Sequence, residues 1–293
     1  MPRLRRRLAT VWLLIIAIVV IAVGLIAYGL IESYRVELKR YTFTSPDLPA
    51  AFDGARIVFL TDIHRGAFFS ERRVESIVER TNALSPDLIL LGGDYVYGNT
   101  DYEFSCFEAL AGLKAAWGSY AVLGNHDYGE PQRTEGKDEG DPALALEAIE
   151  TSGIKLLDNE GIWLERDGER MRLGGVSDYQ MGVPDVEPVL DGTSRDDFVL
   201  LLSHNPDYAE ELPAHDVDLV VSGHLHGGQV TLFGRYAFYL PSDYGQKYRT
   251  GMVKNDVTTV IVSNGIGNSI VPPIRLFAPP QMVEITLRRQ SGE

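Results

Sequence analysis

DLVVSGHLHGG, residues 218–228, changes character at its midpoint. Leu219, Val220 and Val221 make a short apolar run, and then His224 and His226 stand one position apart among small residues. A continuous apolar, β-branched run of this length, closed by glycine, reads as a strand buried on both faces. Polar residues at its exit fall where open α/β sheets bind ligands, outside the carboxyl ends of the strands.

The same change recurs along the chain. RIVFLTDIH (56–64), DLILLGGDYV (87–96), SYAVLGNHDY (119–128) and FVLLLSHNP (198–206) each pass from an apolar run into ionisable or amide residues. Between the first two, ERRVESIVERTNAL (71–84) places Val74, Ile77, Val78 and Leu84 close to helical spacing; further helices are predicted over 102–116 and in PALALEAIETSG (142–153). Short strands around an Asp167-Gly168 turn, then TTVIVSNGIG (258–267) and QMVEITL (281–287), continue the sheet. Strands alternating with helices predict an α/β layered fold. Residues 41–55 read as an irregular lead-in, and the polar 129–141 (GEPQRTEGKDEGD) as a mobile surface loop. Three parts result: 1–40, a basic stretch and anchor; 41–55, the lead-in; and 56–293, one domain with no internal linker or repeat.

Residues 8–31 carry no charged side chain, and about 20 apolar residues span a bilayer. A signal-peptide core is shorter, about 7–15 residues, and the exit IAYGL is a poor cleavage site, so an uncleaved single-pass anchor is expected. Arg3, Arg5, Arg6 and Arg7 precede it, whereas Arg35, Lys39 and Arg40 after it are diluted by Glu32 and Glu37. The positive-inside bias then puts the N-terminus in the cytoplasm and the domain outside it.

The 293-residue chain has a net charge of −14, and removing residues 1–40 leaves about −19 on the remainder. Such a surface repels nucleic acid, whose binding rests on neutralising phosphates with basic groups. Cys106 is the only cysteine, which excludes an internal disulfide and any thiolate metal cluster.

Five of the six histidines fall at strand exits. The groups gathered there are Asp62, His64, Asp94, Asn125, His126, Asp127, His204, His224 and His226. Residues i and i+2 of an extended segment face one side, so Asp62 with His64, and His224 with His226, each offer two donors to one place. Carboxylate, carboxamide and imidazole without thiolate suit Mn²⁺, Fe²⁺, Zn²⁺ or Co²⁺. These groups exceed what one ion needs while it also holds water or substrate; two ions, about 3.5–4 Å apart, fit an in-line displacement at phosphorus. A metallo-β-lactamase-like His-x-His-x-Asp-His site is excluded because Gly228 stands where its Asp is required.

D-x-H, GD, GNHD, a solitary His and GHxH, in this order over about residues 55–288, resemble the calcineurin-like metallophosphoesterases. GHLHGGQ (223–229) and VSNGIGNSIVPPIRLFAPP (262–280) look most like a membrane-anchored branch. That branch includes bacterial cell-wall phosphodiesterases, UDP-2,3-diacylglucosamine pyrophosphatases and transmembrane proteins with a metallophosphoesterase domain. The resemblance implies a two-sheet β-sandwich flanked by helices, a four-layer αββα arrangement behind one transmembrane helix, with the site on loops at the carboxyl ends. It implies that Asp62, His64 and His226 hold one ion, that Asn125, His204 and His224 hold the other, and that Asp94 bridges them. His126 would protonate the leaving oxygen and Asp127 would orient it. Arg65 and Arg249 are candidate substrate contacts, the latter in a substrate wall over 235–251.

The expected function is hydrolysis of a phosphodiester or pyrophosphate in a lipid-linked or envelope substrate. Two alternatives are weighed with it. UDP-2,3-diacylglucosamine hydrolysis in lipid A biosynthesis fits the anchor but needs the domain at the cytoplasmic face. A wall- or lipid-binding module would keep the fold without catalysis.

Overall fold

The apolar runs become the strands of two six-stranded sheets in the computed structural model, which describes residues 2–129, 132–134, 137–139 and 141–290. The first sheet is ordered β1 (Glu37–Ser45), β16 (Gln281–Arg289), β2 (Arg56–Leu60), β3 (Leu88–Leu91), β4 (Ser119–Ala121) and β7 (Lys155–Leu156). The second is ordered β14 (Gly251–Lys254), β15 (Thr259–Val262), β11 (Leu219–Ser222), β10 (Val199–Leu202), β9 (Glu169–Gly175) and β8 (Glu160–Arg166). β2, β3 and β4 are parallel neighbours, as are β9, β10, β11 and β15, so the carboxyl ends within each set lie at one edge. Two small antiparallel ladders join β5 (Gln132–Thr134) to β6 (Lys137–Glu139), and β12 (Thr231–Leu232) to β13 (Tyr236–Ala237).

Alternation along each buried strand divides its side chains between two cores. Ile57, Phe59, Leu88 and Leu90 meet Leu200, Leu202, Leu219 and Val221 between the sheets. Val58, Leu60, Ile89 and Leu91 face the other way, onto α2 (Glu71–Ala83), α3 (Glu103–Leu110) and α4 (Ala143–Ser152). The outer face of the second sheet is covered by α5 (Glu187–Leu190) and the short turn Pro206–Glu210. The fold is therefore the expected mixed α/β sandwich with helices on its flanks.

Three local expectations are corrected. The lead-in is not irregular from 41: β1 occupies Glu37–Ser45, an edge strand pairing in parallel with β16. Its exposed alternate residues, Arg40, Thr42 and Thr44, dilute the apolar signal that marks the inner strands. The helix expected over 102–116 ends at Leu110, because the chain turns at Gly112 and sends Leu113 and Ala115 back onto the core. Within 129–141, β5 and β6 form a ladder; positions 130–131, 135–136 and 140 of this segment lie outside the described residues.

The N-terminal helix α1 spans Pro2–Glu32 and is long and apolar enough over Arg7–Glu32 to cross a membrane. The side chains of Arg3, Arg5 and Arg6, on which its orientation was argued, lie outside the described residues. Its last turns pack against the domain. Gly29 is buried there, packed so closely that a Cβ would lie 2.5 Å from Ile274 Cγ2, and its carbonyl accepts the Arg275 N–H at 3.1 Å.

Candidate metal centre

β2 ends at Leu60 and β11 at Ser222, before the first candidate ligands. Asp62, His64, Asp94, His224 and His226 all adopt positive φ, at 52, 48, 55, 67 and 50°. This left-handed conformation is uncommon for residues other than glycine. The pleat of an extended strand therefore does not bring Asp62 to His64 or His224 to His226, as the spacing suggested; left-handed turns do. The turns are laced across strands by backbone hydrogen bonds: Asp62 N–H donates to Gly93 O (2.9 Å), His64 N–H to Asp94 O (3.0 Å) and Gly223 N–H to His204 O (2.9 Å).

Two groups of potential ligand atoms result, each within 4.8 Å. Asp62, His64, Asp94 and His226 form one, and Asp94, His204 and His224 the other. Asp94 belongs to both. Its Oδ1 accepts the His126 backbone N–H at 2.9 Å, while Oδ2 lies 3.6 Å from His64 Nε2 and 3.3 Å from His204 Nε2. His226 Nε2 is 3.3 Å from Asp62 Oδ1 and 2.9 Å from His64 Nε2.

These residues fit divalent cations. Nε2 of His224 and Oδ1 of Asn125 are shielded from solvent without a hydrogen-bond partner. Nδ1 of His64 lies 3.1 Å from Val96 O and Nδ1 of His204 2.6 Å from Gly92 O, which leaves each Nε2 free to ligate. Burial holds the His64 and His224 imidazoles down to about 3, so both are neutral at ordinary pH, as a ligand must be. Burial pushes the Asp62 carboxyl up to about 7, and the Asp94 charge adds to this. Burial also opposes charge on His204 and Asp94, but their mutual attraction outweighs it, holding His204 well above and Asp94 well below their usual ranges, so His204 gives up a proton when it takes a cation. Gly223 lets His224 N–H reach Asp62 Oδ1 at 3.0 Å, since a Cβ there would overlap the Asp62 carboxylate and Thr61 Oγ1.

His126 is half-buried, its ring 5.1 Å from that of His64 and 5.3 Å from that of Tyr97. Asp127, expected to orient His126, is itself fixed by the backbone. Its carboxylate accepts the backbone N–H groups of Asp94 (2.8 Å), Tyr95 (2.7 Å) and Gly124 (2.8 Å), so it clamps two strand exits together. Arg65 and Arg249 are likewise bound to the protein itself. Arg65 lies 4.4 Å over the Tyr102 ring and donates to Gly66 O; Arg249 donates to Gly227 O (3.2 Å) and Gly234 O (2.7 Å), fixing the loop after His226.

Arg275 was missed in the sequence, where VPPIRLFAPP (271–280) reads as a polar exception in an apolar loop. It is fully buried, and its Nη2 lies 3.1 Å from His226 Nδ1. A cavity of about 240 Å³ opens beside His224 and His226, walled by Phe238, Tyr239 and Ile270. Phe238 and Tyr239 come from the segment expected as a substrate wall. A larger cleft of about 670 Å³, lined by Asp87, Ser119 and Ser152, lies at the amino ends of β3 and β4 and contains none of these groups.

The sequence pattern described as calcineurin-like phosphoesterase matches residues 55–228. A metallophosphoesterase of Bacillus subtilis, YkuE, is 30% identical over 88% of this chain and 87% of its own. One from Aquifex aeolicus is 31% identical over 88% and 94%. The Danio rerio transmembrane protein with metallophosphoesterase domain is 30% identical over 83% of this chain, which spans 55% of that protein. The chain thus belongs to the calcineurin-like phosphoesterases and is a metal-dependent phosphoester hydrolase.

Proposed function

We propose that the protein is a membrane-tethered hydrolase of phosphodiester or pyrophosphate bonds in a lipid-linked or envelope substrate, with its domain outside the cytoplasm. The observation that carries the reading is one carboxylate, Asp94, shared by two sets of ligand atoms. Asp62, His64 and His226 would hold one divalent ion, Asn125, His204 and His224 the other, and Asp94 both. When bound, the ions supply a water acidic enough to attack at neutral pH and a positive clamp on the phosphoryl oxygens. The protein's own groups do the rest. The backbone N–H groups of His126 and His224 keep the Asp94 and Asp62 carboxylates in place, and the strand-exit clamp of Asp127 sets the position of His126. His126, at the mouth, is the group placed to give a proton to the departing oxygen.

The full chain, purified in detergent and supplied with Mn²⁺, is assayed against bis(p-nitrophenyl) phosphate, p-nitrophenyl phosphate and a UDP-linked glycolipid. Chelator-sensitive release from the diester is expected. Turnover of the UDP compound alone would favour the pyrophosphatase branch and a cytoplasmic domain. Two bound metals with no turnover of any of the three would leave a binding module and refute the enzyme reading for these substrates.

A further inference from the structure

Resting on the tethered reading above, we infer that the metal-bearing rim is pressed against the bilayer. The loop 231–239 and the turn around Val271 dip into the headgroup layer, so the site meets phosphates of lipids in the membrane's own plane.

Strand register places the anchor's root. β1 pairs in parallel with β16, Glu37 opposite Gln281, while β16 runs antiparallel to β2, Val283 opposite Phe59. β1 therefore begins at the edge where β2 ends and Asp62 follows. α1, whose last residue is Glu32, joins the domain on the rim that carries the ligands.

Length sets the depth. The apolar run 8–31 is about 36 Å long as a helix, against a hydrocarbon layer of about 30 Å. The surplus is about one helical turn, which leaves the last apolar residues, Tyr28 among them, at headgroup level. From Tyr28 a row of rings runs outward: Tyr28 is 5.5 Å from Phe277, and Phe277 is 5.5 Å from Phe233.

Phe233 is 73% exposed, Phe238 67%, Tyr239 76% and Val271 62%. So many large apolar side chains on one rim mark an interaction surface, and aromatic rings are the side chains that settle at membrane–water boundaries. The surface is continuous with the chemistry. Phe238 and Tyr239 wall the cavity beside His224 and His226, and Ile270 lines both that cavity and a second, of about 100 Å³, beside His64. An acyl-bearing phosphate can thus reach the rim without leaving the membrane surface.

Cys106 is buried and is the chain's only cysteine, so a new surface cysteine is labelled selectively. Single variants Trp12→Cys, Phe233→Cys and Arg195→Cys of the full chain carry an NBD fluorophore and are placed in phosphatidylcholine vesicles with nitroxide-labelled lipid. Arg195 precedes the amino end of β10, opposite the rim, and is the aqueous control. Loss of fluorescence is expected at 12 and at 233, strongest at 233 with a nitroxide near the headgroup, since interfacial groups sit about 5–10 Å into the boundary. Position 12 quenched while 233 behaves like 195 would overturn the inference and keep the anchor. Both 12 and 233 unquenched would overturn the tethered reading itself. A blue shift at 233 that follows protein concentration in detergent, without lipid, would assign the surface to a second copy of the chain and overturn the inference as well.

Discussion

Replacing Arg275 by lysine separates charge from shape at the back of the site. The guanidinium donates from Nε to Asn268 Oδ1 (3.2 Å) and from Nη1 to Ala278 O (3.0 Å) and His226 O (3.3 Å). Nη2 serves Gly267 O and faces His226 Nδ1. Lysine has three donors at one point and cannot reproduce this planar fork. At least two acceptors lose their partner, at about 1–3 kcal/mol for each buried group, which makes about 2–6 kcal/mol. In a domain of this size that lowers Tm by roughly 4–24 °C. Burial already holds Arg275 down to about 9; a buried ammonium is easier still to neutralise, and the site then loses a positive charge too. With its partner gone, the His226 ring is free to turn and the group built on Asp62, His64 and His226 weakens. Near-UV circular dichroism of the full chain in detergent follows the melt, and elemental analysis counts the metals. Arg275→Lys melting with the parent and retaining its full metal content would refute the positioning argument.

Three further outcomes follow from the same geometry. His126→Ala should keep its metal but lose roughly 10²–10⁴ in kcat, the usual worth of a positioned proton donor; unchanged turnover would remove His126 from the mechanism. Gly223→Ala should lose metal and about 1–3 kcal/mol of stability, because the new methyl must displace the Asp62 carboxylate; equilibrium dialysis with a metal dye reads the loss directly. Glu103 is buried with both carboxyl oxygens unpartnered, and burial followed by repulsion from Asp127 pushes it up to about 10. Since the folded state holds this proton more tightly than the unfolded one, the carboxyl costs nothing below its unfolded value of 4.5 and destabilises increasingly as pH climbs from there towards 10. Glu103→Gln should accordingly match the parent at pH 4 and exceed its stability by a growing margin through pH 8; a constant difference would disprove the assignment.

The inner strands were legible because they are buried on both faces and read as unbroken apolar runs: LILL and VLLL carry no polar residue. β1 was not, since an edge strand with alternate exposed residues resembles a linker. Ligand candidates were legible by type and place, but not by the means that bring them together. The spacing of Asp62 and His64 suggests a pleat, whereas the chain uses two left-handed residues, and backbone conformation of that kind leaves no mark on an Asp or a His. Asp127 and Arg275 show the same gap from opposite sides. One is acidic and adjacent to His126 yet binds backbone amides; the other lies far along the chain and reaches His226 only after folding.

The left-handed turns also bear on why the centre is built as it is. Each non-glycine residue in this conformation costs of order 1–3 kcal/mol, so Asp62, His64, Asp94, His224 and His226 together cost roughly 5–15 kcal/mol, comparable to the whole net stability of a domain. The surroundings must therefore offset it locally. They do so with hydrogen bonds that run between strand exits rather than within them: Asp62 to Gly93, His64 to Asp94, Gly223 to His204, His224 to the Asp62 carboxylate, and the Asp127 carboxylate to Asp94 and Tyr95. Each bond ties the loop of one strand to the loop of another, so no ligand is placed by its own segment alone. The tie from His224 to Asp62 also joins one sheet to the other, so its loss is expected to disturb donors on both, and the distance between Arg275 and His226 along the chain is likewise no measure of their coupling.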